Sequence, residues 1–498
     1  MQEEKKRAPI YEMLARHAER REIAFHVPGH KQRVVWQDAG AAAFYEPLLT
    51  LDVTELADTD DLHHPEGPIA EAQRLAADCF GAEETRFLVG GSTAGNLAMI
   101  LGITTPGDLL IVQRNVHRSI FHGMMLAGVR AVLLQPEIDP GSGLAVIPDV
   151  DRVREAVQLY PEARGVILCS PNYYGMSGDL RPFTKICHQA GIPLLVDEAH
   201  GPHFGLHPQF PRSALQTGAD IVVQSTHKML SAMTMGAMLH MQGPRVGREA
   251  VRQALRMVQS SSPSFPLLAS LDLARRQVHE GGLAAFESAL NCAAAVRACL
   301  PQTVYRTIEY SSDHGAYRID QDPLKLVLYD TRGELSGFHI RNELAARGCA
   351  IEMADARYAV LALGIGTREQ DADGLVRALK EMSELQRGKP EAAGPEHHQT
   401  PTRGQERAQR RESERVPAPV AVSRALPQTE RVRLEDSAGR IAGEWVVPYP
   451  PGIPELYPGE TVTEQTIERL QRWRRQDASV QGAEDSELTW IRVAVSAV

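Results

Sequence analysis

The sequence predicts an α/β fold with a mixed, mostly parallel sheet. Three observations carry this. Between about 71 and 245, short apolar runs rich in Val, Ile and Leu alternate with helical patterns. The runs begin 22 to 34 residues apart, which leaves room for a crossover helix between parallel strands. Polar loops follow several runs, at the strand ends where open α/β sheets place their ligands.

Taken in order, the predicted strands are LLIVQ at 109–113, AVLLQ at 131–135, GVILCS at 165–170, PLLVDEAH at 193–200 and ADIVVQS at 219–225. Their continuous apolar character suits strands buried on both faces. GAMLHM at 236–241 follows too closely for a crossover and is expected as an antiparallel addition. Residues 246–300 read as long helices, so that 1–300 forms an N-terminal segment and a large domain. Residues 301–386 read as a small α+β domain, with strand LKLVLYD, helix FHIRNELAARG, strand YAVLALGIG and a last helix. The stretch 387–428 holds six prolines, thirteen charged residues and no aromatic residue. Such a composition cannot offset ordering entropy by burial, so a disordered linker is expected there. A short C-terminal module, 429–498, follows.

Composition narrows the function classes. The chain has 498 residues, 43% hydrophobic and 23% charged, with a net charge of −10 and no long single-sign block. That argues against general nucleic-acid binding, which needs a basic stripe. No run of 18 apolar residues occurs, and the N-terminus has no apolar leader segment. Six scattered cysteines without a C-x-x-C pair fit reduced thiols. A large cytoplasmic enzyme is expected.

Three loops carry the candidate chemistry. Gly90-Gly91-Ser92-Thr93-Ala94-Gly95-Asn96 lies between an apolar FLV and a helical run, where backbone N–H groups favour a phosphate. Asp197-Glu198-Ala199-His200 places a carboxylate at the mouth of a buried strand. Ser225-Thr226-His227-Lys228 places a lysine directly after another, and an enclosed lysine becomes a nucleophile toward carbonyls. Taken singly, each loop also reads as a cap or a turn. Pyridoxal phosphate needs all three together: a phosphate cup, a lysine and a carboxylate for its ring nitrogen. His200, His203 and His207 also admit a metal reading, but their spacing is not a usual zinc pattern, and no metal is expected.

With these motifs the chain resembles the Orn/Lys/Arg decarboxylases, pyridoxal-phosphate enzymes of the aspartate aminotransferase-like fold type I. The resemblance rests on FHVPGHK at 25–31, DDLHHPEG at 60–67, GGSTAGN at 90–96, RNVHRS at 114–119, SPNYYG at 170–175, DEAHGPHF at 197–204, STHK at 225–228, SSSPSF at 260–265 and PYPPGIP at 448–454. The spacing is similar to that of smaller members without an N-terminal regulator-like domain.

The resemblance implies a role for each matching residue. Lys228 holds the cofactor covalently, Asp197 keeps its ring nitrogen protonated, and His117 stacks on the ring. Ser92, Thr93, Ala94 and Ser225 hold the phosphate, and Ser261 and Ser262 reach it from a neighbouring subunit. His227 is a candidate proton donor, with a positioning role the alternative. His200 sits near the ring where other members have tryptophan. Glu460 is a candidate for the basic end of the substrate; from the residues themselves Asp61 (with Asp60 beside it) is another, with an exposed turn the equal alternative. The implied reaction is decarboxylation of a basic amino acid, with arginine favoured over lysine or ornithine, in a homo-oligomer with active sites between subunits. Met235 and Gly236 depart from the glutamine followed by Ser, Thr or Ala usual after the lysine. An α-oxoamine synthase shares the Asp-x-Ala-His motif, and a catalytically silent relative is the reading from another class.

Overall fold

The computed structural model describes residues 2–20, 22–309, 311–314, 317–387, 415–424, 428–449, 452–475 and 479–495. Its centre is an eight-stranded sheet. In spatial order the strands are Glu84–Leu88, Ala237–Met241, Ile221–Gln224, Leu194–Asp197, Val166–Cys169, Leu109–Gln113, Arg130–Leu134 and Val420–Ala421. The five from Ile221–Gln224 to Arg130–Leu134 run parallel, and Ala237–Met241 is antiparallel to both its neighbours, as its short connection requires.

Alternation along each strand divides the core in two. Leu195, Ile221, Val223, Ile167 and Val112 face one layer, with helices Gly91–Ile103, Arg118–Ala127 and Arg248–Val258. Leu194, Val196, Val222, Val166 and Ile111 face the other, with helices Val150–Leu159 and Arg181–Gln189. A strand buried on both faces needs no polar side, which explains the unbroken apolar runs. Gly95 sets the closeness of one layer: a Cβ there would lie 2.7 Å from Val223 and 2.8 Å from Leu88. Helix Gly91–Ile103 thereby lies directly on the sheet, its start at the strand ends.

The helical expectation for 246–300 resolves into Arg248–Val258, Phe265–Gly281 and Ala284–Cys299. A four-stranded antiparallel sheet follows, ordered Met353–Ala354, Ala359–Ala362, Lys325–Asp330, Tyr305–Thr307, with helices Gly337–Ala346 and Glu369–Arg387. It is fastened to the large domain through Tyr317–Gln321, which pairs with Met176–Gly178. Most of the expected linker, 388–414 and 425–427, lies outside the described residues. Where it is described, at 415–424, Val420–Ala421 adds an antiparallel edge strand on Arg130–Ala131 and Val422 is buried. Backbone pairing needs no apolar composition, so the composition did not reveal this strand.

The C-terminal residues have a small core of their own around Leu434, Val446, Leu456, Leu470 and Ile491. Among the described residues no single helix is long and apolar enough to cross a membrane. The six cysteines carry no disulfide.

Candidate active site

The site forms where the parallel strands end. Asp197 is the last residue of its strand, opposite Val223 on the next, and Ser225 follows that strand directly. The chain then turns into the short helix Thr226–Met229, which holds Lys228. Asp197 and Lys228 are thus brought to one mouth by strand pairing. Burial raises the Asp197 carboxyl and the nearby Lys228 charge opposes it; burial lowers the Lys228 ammonium and Asp197 opposes that.

A hydrogen-bond chain runs from Asp197 to His117. Asn96, fully buried, donates from Nδ2 to Asp197 Oδ2 at 2.8 Å and to Ser119 Oγ at 2.9 Å. Ser119 Oγ lies 2.8 Å from His117 Nδ1, which also accepts from the Ser119 backbone N–H at 3.2 Å, capping helix Arg118–Ala127. His117 therefore keeps its proton on Nε2. Burial, with the Lys228 and Arg118 charges, pushes its pKa down to about 4, so the ring is neutral at neutral pH. Gly452 of the proline-rich element lies over this ring; a Cβ there would sit 3.6 Å from His117 Cδ2.

Ser92, Thr93 and Ala94, expected to hold a phosphate, lie in the first turn of helix Gly91–Ile103. Its N-cap, Gly90, has no side-chain cap, so the first N–H groups of Gly91, Ser92 and Thr93 are not taken up by one, and Ala94 is buried in the first turn. Ser225 Oγ is buried and has no hydrogen-bond partner among the described residues. An orphaned hydroxyl and an uncapped helix start each fit an anion.

His200 lies between two lysines. Its Nε2 lies 2.9 Å from Lys228 Nζ, and its ring centroid is 4.6 Å from that of Tyr173. Its Nδ1 lies 3.5 Å from Nζ of Lys325, a lysine of the small domain that is 1% exposed. Sequence reading missed Lys325, Asn96, Ser119 and Tyr173. Asn96, Ser119 and Tyr173 stood inside the motifs above, whereas Lys325 stood inside the apolar run LKLVLYD and read only as part of a strand.

The geometry also places the remaining candidates. His227 Nδ1 lies 3.0 Å from the carbonyl of Gly236, which can only accept, so the proton sits on Nδ1 and neutral Nε2 offers a lone pair. As a donor His227 would need a positive charge, which burial disfavours. Glu460 does not stand free for a substrate: Arg114 occupies both its oxygens, at 2.9 and 2.7 Å. Asp61 is an exposed turn residue that accepts from the backbone N–H of His63, and Asp60 accepts from Gly67 and Ile69. Ser261 and Ser262 lie on an exposed loop, open to a neighbouring chain. His200, His203 and His207 diverge: His203 pairs with Asp322 at 3.1 Å and His207 with Glu287 at 3.5 Å.

The model of the Orn/Lys/Arg decarboxylase major domain matches residues 8–314, and that of the C-terminal domain matches residues 402–484. The Bacillus subtilis protein YaaO is 40% identical over 478 residues, covering 95% of this chain and 96% of its own. An arginine decarboxylase of Bacillus subtilis is 34% identical over 491 residues, covering 97% of each. The solved lysine decarboxylase of Francisella novicida superposes with a TM-score of 0.79 at 20% identity, over 98% of this chain and 81% of that one. An alanine–glyoxylate aminotransferase of Nostoc shares the fold over 63% of this chain and 85% of that one, with a TM-score of 0.51 at 16% identity. The chain belongs to the Orn/Lys/Arg decarboxylase family and is a decarboxylase of basic amino acids.

Proposed function

We propose that this chain decarboxylates arginine with pyridoxal phosphate held by Lys228. The observation that carries the cofactor reading is the placement of Lys228 and Asp197 together at adjacent strand ends, beside an orphaned Ser225 hydroxyl. These residues fit the group: a hydroxyl and helix start for its phosphate, a lysine for its aldehyde, a carboxylate for its ring nitrogen and the neutral His117 ring for its face. Bound there, the cofactor supplies an electron sink for the bond that breaks at the substrate α-carbon.

The chain's own residues do the rest. Asp197, steadied by Asn96 Nδ2 and the Ala199 N–H, holds a proton at the ring nitrogen. Ser92, Thr93, Ala94 and Ser225 bind the phosphate. Lys228 returns a proton to the α-carbon, and His227, fixed on the Gly236 carbonyl, positions the lysine beside it. Arginine is favoured because the arginine decarboxylases cover nearly the whole chain at 30–34% identity, while the lysine decarboxylases of Escherichia coli are 23–24% identical.

A second copy of the chain completes the site. Phe25, Val27 and Phe44 are 91%, 65% and 85% exposed, an apolar surface that a neighbour would cover. Ser261 and Ser262 then serve the neighbour's phosphate. Carbon dioxide release from arginine, lysine and ornithine tests the substrate: fastest release from arginine supports the reading, and fastest release from another contradicts it. An active monomer in size-exclusion chromatography would contradict the shared site.

A further inference from the structure

His200 stands between two lysines. Its Nε2 lies 2.9 Å from Lys228 Nζ and its Nδ1 3.5 Å from Lys325 Nζ. A neutral imidazole has one N–H and one in-plane lone pair. Two ammonium groups cannot both donate to it, so one lysine must face the N–H and the other the lone pair. Burial and the two flanking lysines hold His200 well below its usual pKa, which keeps the ring neutral.

The surroundings of the two lysines differ. Lys325 starts strand Lys325–Asp330, its stem closed in by Gly175, where a Cβ would lie 2.7 Å from Lys325 Cγ. The carboxylates of Asp322 and Glu352 both favour its charge against burial. Asp322 Oδ1 pairs with His203, and Asp322 Oδ2 is buried with no hydrogen-bond partner among the described residues. Lys228 faces Asp197, Cys169 and Glu352, which favour its charge, but also Lys325, which opposes it. His117, His227 and Tyr173 are further ionisable groups around His200.

We propose that Lys325 is a positioning residue for the decarboxylation: it donates to Nδ1 of His200, holds the ring proton on Nε2 and so presents an N–H to Nζ of Lys228. An amine that accepts from Nε2–H has no proton of its own at that contact and keeps its nucleophilic lone pair ordered on the histidine. Lys325 reaches the cofactor lysine from a separate sheet, so docking of the small domain sets the state of Lys228. This rests on the reading of Lys228 as the cofactor lysine.

The test is the proton position on His200, read by nitrogen-15 NMR of the full-length chain with labelled histidine, without and with pyridoxal phosphate. His200→Gln identifies the signal. The wild type is expected to show Nε2–H. Lys325→Gln, whose amide still donates to Nδ1, is expected to retain it, and Lys325→Met to lose it. In parallel, cyanate labelling of Lys228 across pH, followed by peptide mass spectrometry, is expected to show an apparent pKa about one unit higher in Lys325→Met, or about tenfold lower reactivity at neutral pH. An Nδ1–H ring in the wild type, or an Nε2–H ring unaltered in Lys325→Met, overturns the proposal. Should Lys325→Met not fold, the wild-type spectrum and Lys325→Gln still decide. Neither readout requires Lys228 to carry the cofactor, so failure here is distinct from failure of the proposed function.

Discussion

Arg114 and Glu460, 346 positions apart, form a forked ion pair with Arg114 Nη2 at 2.9 and 2.7 Å from the two carboxylate oxygens. Arg114 also donates to the carbonyls of Pro454 and Glu455. The guanidinium thus ties the C-terminal module to the strand end that leads into His117. Glu460→Gln removes the charge and leaves a mostly buried guanidinium without its counter-ion, a cost of about 1–3 kcal/mol. The expected result is faster amide hydrogen exchange across 452–462, with exchange in the parallel strands unaltered.

Asn96 gives a second prediction. Its Nδ2 joins Asp197 to Ser119, and through Ser119 to His117. Asn96→Ala removes a hydrogen bond to a charged acceptor, about 1.5–3 kcal/mol. Cofactor affinity, measured by absorbance titration, is expected to fall by roughly ten- to a hundredfold.

Glu198 gives a pH prediction. Its Oε2 accepts from Gln224 Nε2, Gln224 Oε1 lies 3.1 Å from His240 Nε2, and His240 Nδ1 lies 2.8 Å from Thr85 Oγ1. Burial raises the Glu198 pKa from 4.5 to about 8. A raised folded pKa means that the folded protein binds more protons than the unfolded chain between those values. This contribution to stability is full below about pH 4.5 and is lost as pH rises to about 8, at up to about 1.4 kcal/mol per pH unit. Glu198→Gln mimics the protonated acid once the Gln224 amide turns over. Urea unfolding from pH 5 to 8 is expected to show this decline in the wild type relative to the variant; parallel curves would contradict it.

Met235 adopts φ 75°, the left-handed region costly for a side chain. This turn aims the Gly236 carbonyl at both the backbone N–H and Nδ1 of His227. Met235→Gly is expected to stabilise the fold by about 0.5–1 kcal/mol in urea unfolding, relief of strain outweighing the added freedom of the unfolded chain.

How much of this was legible in the sequence follows from the range of each interaction. Asp197 and Lys228 were legible because each directly follows an apolar run, and neighbouring parallel strands end together. The strand at 236–241 was legible because its short connection excludes a crossover. Lys325 was not, because its burial depends on a different sheet docking against His200. Glu460 was misread for a similar reason: its partner Arg114 is contributed by a distant strand end. The tautomer of His227 depends on a left-handed turn at Met235, where sequence preference points away from that backbone. Val420–Ala421 was hidden because a short edge strand pairs through its backbone.

Two lysines meet one imidazole, so the central claim is best tested by finding which of them carries the cofactor. Full-length protein is loaded with pyridoxal phosphate, reduced with borohydride, digested and mapped by mass spectrometry. The label is expected on Lys228 alone. A label on Lys325, on another lysine, or on none would contradict the account.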